Sequence, residues 1–161
     1  MVDKEFLAER VKLLTGYIED LEEEAGVGLK EIKEDKRIRR YVERTLHLAV
    51  EACLDIGNHL IADLGLREPE TYKDIMVILT EAGYLPKEKI RQFKDMAGFR
   101  NVIVHDYTRV DPVIVYGILK KDLISFRLFA GMVKKNFLHR EAESPSSQTS
   151  RPGPHKDSAP S

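Results

Sequence analysis

An apolar residue recurs every three or four positions between residues 38 and 64, and this stripe is the strongest constraint on the fold of the chain. Its members are Ile38, Val42, Leu46, Ala49, Cys53, Ile56, Leu60 and Leu64. Because an α-helix has 3.6 residues per turn, this spacing places all of these side chains on one face. The stripe predicts a helix over residues 35–64 that is long enough to be the spine of a helical bundle, with Gly65 directly after its end.

The same periodicity predicts four further helices, over residues 4–25, 69–82, 86–104 and 111–137. Asp111 followed by Pro112 is typical of an N-cap and first helical position, and Pro69 and Gly83 suit a helix start and end. The side chains predicted to face inward are Leu7, Val11, Leu14, Ile18, Leu21, Ala25, Tyr72, Ile75, Met76, Leu79, Ile90, Phe93, Ala97, Val104, Val115, Leu119, Leu123, Phe126, Ala130, Val133 and Phe137. Since no segment alternates like a β-strand, the predicted fold is an all-α antiparallel bundle of about five helices.

The composition changes near the C-terminus. The last residues are rich in serine and proline and contain almost nothing that a core could bury. Such a segment cannot offset the entropy lost on ordering. The sequence therefore predicts one folded domain over residues 1–139 and a disordered tail over residues 140–161.

The N-terminal sequence, the hydropathy and the charge of the chain indicate where the protein acts. The N-terminal region has early acidic residues and no apolar core of a signal peptide, and no run of residues is apolar enough to span a bilayer. Cys53 is the only cysteine and is predicted to be a small core residue. We therefore expect a cytoplasmic protein without membrane contact. The formal net charge of −1 means that any contact with nucleic acid must come from a local patch.

Residues 100–107 hold the most informative group of polar side chains. Arg100 falls on the inward stripe of the fourth helix, where an apolar residue is expected, so its guanidinium needs partners or a function. Asn101 and His105 are four residues apart and share another face of that helix. His105 lies at the C-terminal end, where a positive charge is favoured, and Tyr107 follows it.

These residue types are suited to RNA cleavage by the RNA's own 2′-hydroxyl. His105 can remove and donate protons near neutral pH. Arg100 can bind two phosphate oxygens through its planar fork, and Asn101 can orient the histidine or the phosphate. No metal or cofactor is required. The reaction needs a general acid and a general base, and each chain offers only one histidine at this site. Two sites joined across a two-fold axis would provide both groups.

Other polar clusters have two interpretations each. Asp55, Asn58 and His59 share a face of the long helix and could line the cleft beside Arg100, although a hydrogen-bonded polar seam is favoured. The basic stretch over residues 36–44 could bind RNA phosphates, although its interspersed acidic residues favour a solvated mixed-charge face. Neither metal-ligand spacing nor a glycine-rich phosphate loop is present in the sequence.

The chain resembles HEPN-domain ribonucleases, and most closely the HepT-type toxins of HEPN/MNT toxin–antitoxin pairs. The resemblance extends over residues 6–137 and includes the segments 51–59, 69–74 and 99–107, the last with the Arg-x4-His-x-Tyr pattern. It implies a metal-independent endoribonuclease that acts on RNA as a homodimer. Arg100 and His105 correspond to the catalytic pair and Asn101 to a supporting residue. Tyr107 corresponds to the tyrosine that an MNT-type nucleotidyltransferase antitoxin AMPylates.

Two other functions are compatible with the sequence. HEPN bundles also serve as non-catalytic interaction or nucleotide-binding modules. The chain could also be a structural subunit that masks a nucleotidyltransferase.

Overall fold

The computed structural model describes residues 2–105 and 110–138, and for residues 103–105 it describes the backbone alone. Over these residues the chain forms seven α-helices and no β-strand. The helices are α1 (Lys4–Glu23), α2 (Leu29–Glu34), α3 (Lys36–Asp63), α4 (Tyr72–Glu81), α5 (Ile90–His105), α6 (Pro112–Lys121) and α7 (Leu123–Val133). A 3₁₀ turn, Lys87–Lys89, precedes α5, and a π-helical turn, Lys134–Leu138, follows α7. The predicted all-α fold is confirmed.

The helix α3 is the spine of the bundle, as predicted. It packs against α1, α4 and α5, while α7 packs against α1. The core is continuous and contains three fully buried phenylalanines, Phe93, Phe126 and Phe129. Cys53 is fully buried within it, which raises the pKa of its thiol and confirms it as a core residue.

The helix ends follow the local chemistry of the sequence. Carboxylates of Asp35 and Asp111 accept hydrogen bonds from the first free backbone N–H groups of α3 and α6. Gly65 and Gly83 follow α3 and α4 with φ of 65° and 87°, a backbone conformation that favours glycine. The predicted ends at these four positions are confirmed.

The structure differs from the prediction at several helices, and α5 begins at Ile90, after a 3₁₀ turn, rather than at residue 86. The short helix α2 was not predicted, because six residues are too few for an apolar period to emerge. The predicted fifth helix is divided at Asp122 into α6, which packs against α2, and α7, which packs against α1. The third helix begins at Tyr72 rather than at Pro69, because Thr71 is its N-cap and accepts a hydrogen bond from the Asp74 N–H.

The segment before α4 is held by a clamp of charged groups. Arg67 donates hydrogen bonds to both carboxylate oxygens of Asp74, at 2.7 and 2.8 Å, and the Glu70 N–H donates a third at 3.0 Å. These bonds, with that from Arg67 first, lower the pKa of Asp74. The clamp fixes the chain where it enters α4.

A glycine brings α4 close to α3. A Cβ atom at Gly57 would lie 2.6 Å from Cγ2 of Ile75, closer than real carbon atoms approach. Since glycine lacks that atom, the two backbones can approach each other at this point. The N-terminal turn of α4, which begins with Tyr72, is thereby placed beside the middle of α3.

Candidate active site

Arg100 occupies the junction of three helices. Its guanidinium forms an ion pair with Glu51 of α3 and lies 5.0 Å from the centre of the Tyr72 ring of α4, a cation–π contact. The side chain is 21% exposed. The sequence-based prediction that this arginine has partners on a partly buried face is confirmed.

Glu51 connects Arg100 to a histidine one turn earlier on α3. The same carboxylate oxygen that pairs with Arg100 lies 3.7 Å from Nε2 of His47. Burial lowers the pKa of His47, Arg44 and Arg100 lower it further, and Glu51 opposes them. Glu51 begins the segment 51–59 of the family resemblance, and only its position four residues after His47 could have indicated a role from the sequence.

Tyr72 was predicted to face the core, and this is wrong. The residue is 38% exposed, and its ring lies under the guanidinium of Arg100. The reason is its place at the first position of α4, where the helix has just entered the bundle. A planar guanidinium over an aromatic face is held in a defined orientation, and such a group can bind two oxygens of a phosphate or carboxylate.

Asn101 lies on the outside of α5, and its side chain lines a cavity of about 350 Å³. The wall of this cavity also contains Asn58 of α3 and Thr71 and Tyr72 at the start of α4. Because α5 is continuous to His105, Asn101 and His105 are one helical turn apart, as predicted. The side chain of His105, Tyr107 and the tail over residues 140–161 lie outside the described residues.

Two further cavities continue along α3. One of about 330 Å³ is lined by Glu51, Asp55, Asn58 and Tyr72, and another of about 500 Å³ by Asp55, Asn58 and His59. Asn58 lines all three cavities, which are therefore neighbours, and we call them together the α3 groove. Asp55 also pairs with Arg10 of α1 at 3.3 Å. The structure therefore places Asp55 and Asn58 beside the Arg100 junction.

The contacts of His59 agree with a hydrogen-bonded polar contact between helices. Its ring stacks on Phe6 of α1 with 4.1 Å between the ring centres. Its Nε2 lies 3.1 Å from a carboxylate oxygen of Asp63. These contacts connect α1 to α3, although one edge of the ring also reaches the α3 groove.

The first part of the basic stretch, near residue 36, lies far from this site. Lys36, Arg37 and Arg40 are exposed on the first turns of α3, some 15 residues before Glu51. At 1.5 Å per residue, that separation is roughly 22 Å along the helix from Lys36. These first residues of the stretch are thus a solvated face at the N-terminal end of α3, whereas Arg44, at the other end of the stretch, is close enough to lower the pKa of His47.

Among the described residues, no group of three or more His, Cys, Asp or Glu side chains is arranged to hold a metal ion. No helix among them is both long enough and apolar enough to cross a membrane.

Together, the all-α bundle and an Arg-x4-His helix end define the class of HEPN-type helical domains. Residues 14–133 match the family description "Ribonuclease HepT-like", and the chain belongs to this family. It is 25% identical over 130 residues to the mRNA nuclease HepT of Shewanella oneidensis, covering 81% of this chain and 97% of that protein. It is 24% identical over 134 residues to the tRNA nuclease HepT of Aphanizomenon flos-aquae, covering 83% and 91%.

A solved structure shares the fold. The tri-AMPylated Shewanella oneidensis HEPN toxin, in complex with its MNT antitoxin, superposes with a TM-score of 0.71. The alignment covers 84% of this chain and 99% of that one at 24% sequence identity.

Proposed function

We propose that this chain is a metal-independent endoribonuclease toxin of a HEPN/MNT pair and that it cleaves RNA through Arg100 and His105. The observation that carries the proposal is the partly buried guanidinium of Arg100, held between Glu51 and Tyr72 in a HepT-like bundle. The names of the two relatives, an mRNA nuclease and a tRNA nuclease, support RNA as the substrate.

The proposed reaction is an internal transfer at phosphorus. A histidine removes the proton of the 2′-hydroxyl, and the 2′-oxygen attacks the adjacent phosphorus. Arg100 stabilises the charge on the phosphorane oxygens. The bond from phosphorus to the 5′-oxygen then breaks, and a second imidazole donates a proton to that oxygen. The products are a 2′,3′-cyclic phosphate and a 5′-hydroxyl.

Product analysis of the purified chain tests this proposal. We expect single-stranded RNA to be cut with those end groups, in the presence of EDTA, and a strand with 2′-deoxyribose at the cut position to resist cleavage. Products with a 5′-phosphate, or loss of activity with EDTA, would contradict the mechanism. Intact RNA would contradict the ribonuclease function itself.

We propose that the active form is a homodimer, because one His105 per chain cannot act as acid and base at the same moment. If Arg100 and His105 of one site come from different subunits, mixing an inactive Arg100→Ala chain with an inactive His105→Ala chain joins one Arg100 to one His105, with water in place of the second imidazole. We expect partial recovery of cleavage in purified heterodimers carrying two different tags. No recovery, together with half of the wild-type activity in a heterodimer of wild-type and His105→Ala chains, would show that each site is self-contained.

We further propose that an MNT-type nucleotidyltransferase silences the chain by AMPylating Tyr107. The hydroxyl oxygen of Tyr107 would form a bond to the α-phosphorus of ATP, and pyrophosphate would leave. The AMPylated state of the similar Shewanella oneidensis toxin in complex with its MNT antitoxin supports this part of the proposal.

One observation favours the alternative of a non-catalytic HEPN interaction or nucleotide-binding module that partners a nucleotidyltransferase. Carboxylates of Asp55, Glu68 and Glu70 line the α3 groove and disfavour a polyanion there. An intact, folded dimer that leaves RNA uncut while binding the nucleotidyltransferase would support this alternative.

A further inference from the structure

A lysine of α4 lies across the outer face of α5. A Cβ atom built at Gly98 would lie 2.7 Å from Cε and 3.4 Å from Nζ of Lys73. The end of this side chain therefore rests directly over the glycine. Any larger residue at position 98 would displace it.

The face that Lys73 crosses is the one that carries Asn101 and His105. At about 100° per residue, positions 91, 94, 98, 101 and 105 of α5 fall within a sector of roughly 80°. Two of these positions are Arg91 and Lys94, both exposed. The ammonium of Lys73, over Gly98, lies between Lys94 and Asn101. The result is a row of three cations that leads along the helix toward its catalytic end.

These three cations are available for a ligand. None of Lys73, Arg91 and Lys94 forms an ion pair with a carboxylate among the described side chains. Asp95 flanks the row on one side, about 60° from Gly98 around the helix. The row is thus a local positive patch in a chain whose net charge is −1.

We propose that Lys73, Arg91 and Lys94 bind backbone phosphates of a single-stranded RNA whose scissile bond lies at Asn101 and His105, an inference that rests on the proposed ribonuclease function. A row of cations along one face suits a strand that carries one negative charge per nucleotide. Because the row ends at Asn101, the strand reaches the catalytic residues along α5 and meets the α3 groove only where Asn101 lines it. Contacts of this kind hold RNA of any sequence, so the row contributes affinity rather than base preference.

Charge removal with a matched control tests the proposal. The test variant is Lys73→Gln/Arg91→Gln/Lys94→Gln, and the control is Lys36→Gln/Arg37→Gln/Arg40→Gln, which removes the same charge from the far end of α3. Both change exposed side chains, and circular dichroism checks that both fold. Cleavage of a long single-stranded RNA is measured as kcat and KM over a series of salt concentrations.

We expect the test variant to raise KM on the order of tenfold while kcat changes much less, because uniform binding of substrate is lost. Its plot of log KM against log salt should lose about 2 units of slope, since three phosphate contacts are removed. The control should stay within about twofold of the wild type. Gly98→Ala should reproduce part of the KM effect, because the new methyl group displaces Lys73.

Equal KM values and salt slopes for the test variant and the wild type would overturn the inference while leaving the ribonuclease function intact. The inference would also be overturned if the test variant lost only its binding to a nucleotidyltransferase partner, because the three cations would then contact protein and not RNA. If the wild type cuts no RNA, the proposed ribonuclease function is wrong. Fluorescence anisotropy with labelled RNA then tests separately whether the row of cations binds RNA. Weaker binding by the test variant than by the control supports the row as an RNA-binding surface, and equal binding rejects it.

Discussion

Replacing His105 with alanine is expected to reduce the rate of RNA cleavage by about 10²–10⁴-fold, because a positioned general acid or base contributes that much. The fold should persist, since the residue is the last one of α5. His59→Ala is the matched control, because it removes another imidazole from a helix of the same chain. Cleavage per mole of folded protein is the quantity to compare.

Arg100→Ala should cost about 10²–10³-fold, the loss found when a transition-state charge loses one oriented donor. Arg100→Lys should restore little, because an ammonium has neither the flat face that lies on Tyr72 nor the fork that binds two oxygens. Arg127→Ala removes an arginine whose ion pair with Glu22 joins α7 to α1 at the surface, and it should leave cleavage unchanged. The catalytic assignment fails if His105→Ala or Arg100→Ala cuts RNA at the wild-type rate.

The second large effect is expected at Tyr107. Tyr107→Phe should keep RNA cleavage but resist AMPylation, because only the hydroxyl oxygen that accepts the AMP group is removed. Cells that express this variant together with the cognate nucleotidyltransferase should stop growing where the wild type is neutralised. The physical reason is that AMP two residues past His105 would place a bulky anion near Arg100, where it competes with the phosphate of RNA.

Mass spectrometry of co-expressed protein distinguishes this site from others. Tyr41→Phe is the matched control, because Tyr41 is 44% exposed and lies near the opposite end of α3. We expect AMP on peptides that contain Tyr107 in the wild type and in Tyr41→Phe, and none on that peptide in Tyr107→Phe. AMP on another residue alone, or equal neutralisation of Tyr107→Phe by AMP transfer, would place the switch elsewhere.

The sequence predicted the parts of the fold that depend on local chemistry. The apolar stripe of α3 repeats over so many turns that no other structure accommodates it, and Asp111 with Pro112 marks the start of α6 because capping involves only neighbouring residues. The division at Asp122 was not predictable from the period, since the stripe continues across it. There the different packing partners of α6 and α7 decide the break.

The candidate site shows the same limit. The residue types of Arg100 and Asn101 indicated a polar site, and both residues lie on α5 as the sequence predicted. The pairing of Arg100 with Glu51 joins residues 49 positions apart, and it exists only because α3 and α5 pack together. The inward prediction for Tyr72 failed for a similar reason, because the start of α4 was assigned too early and the Arg100 contact was not foreseen.

The missing side chain at Gly57 has a consequence for genetic selection. Any residue with a Cβ atom there must displace the Ile75 side chain, and we expect the turn that bears Tyr72 to move with it. Arg100 would then lose the ring beneath it although every polar residue of the site is still present. Colonies that survive a toxic copy of this gene can therefore carry their inactivating mutation at an apolar helix contact, with the whole Arg-x4-His motif intact in the DNA sequence.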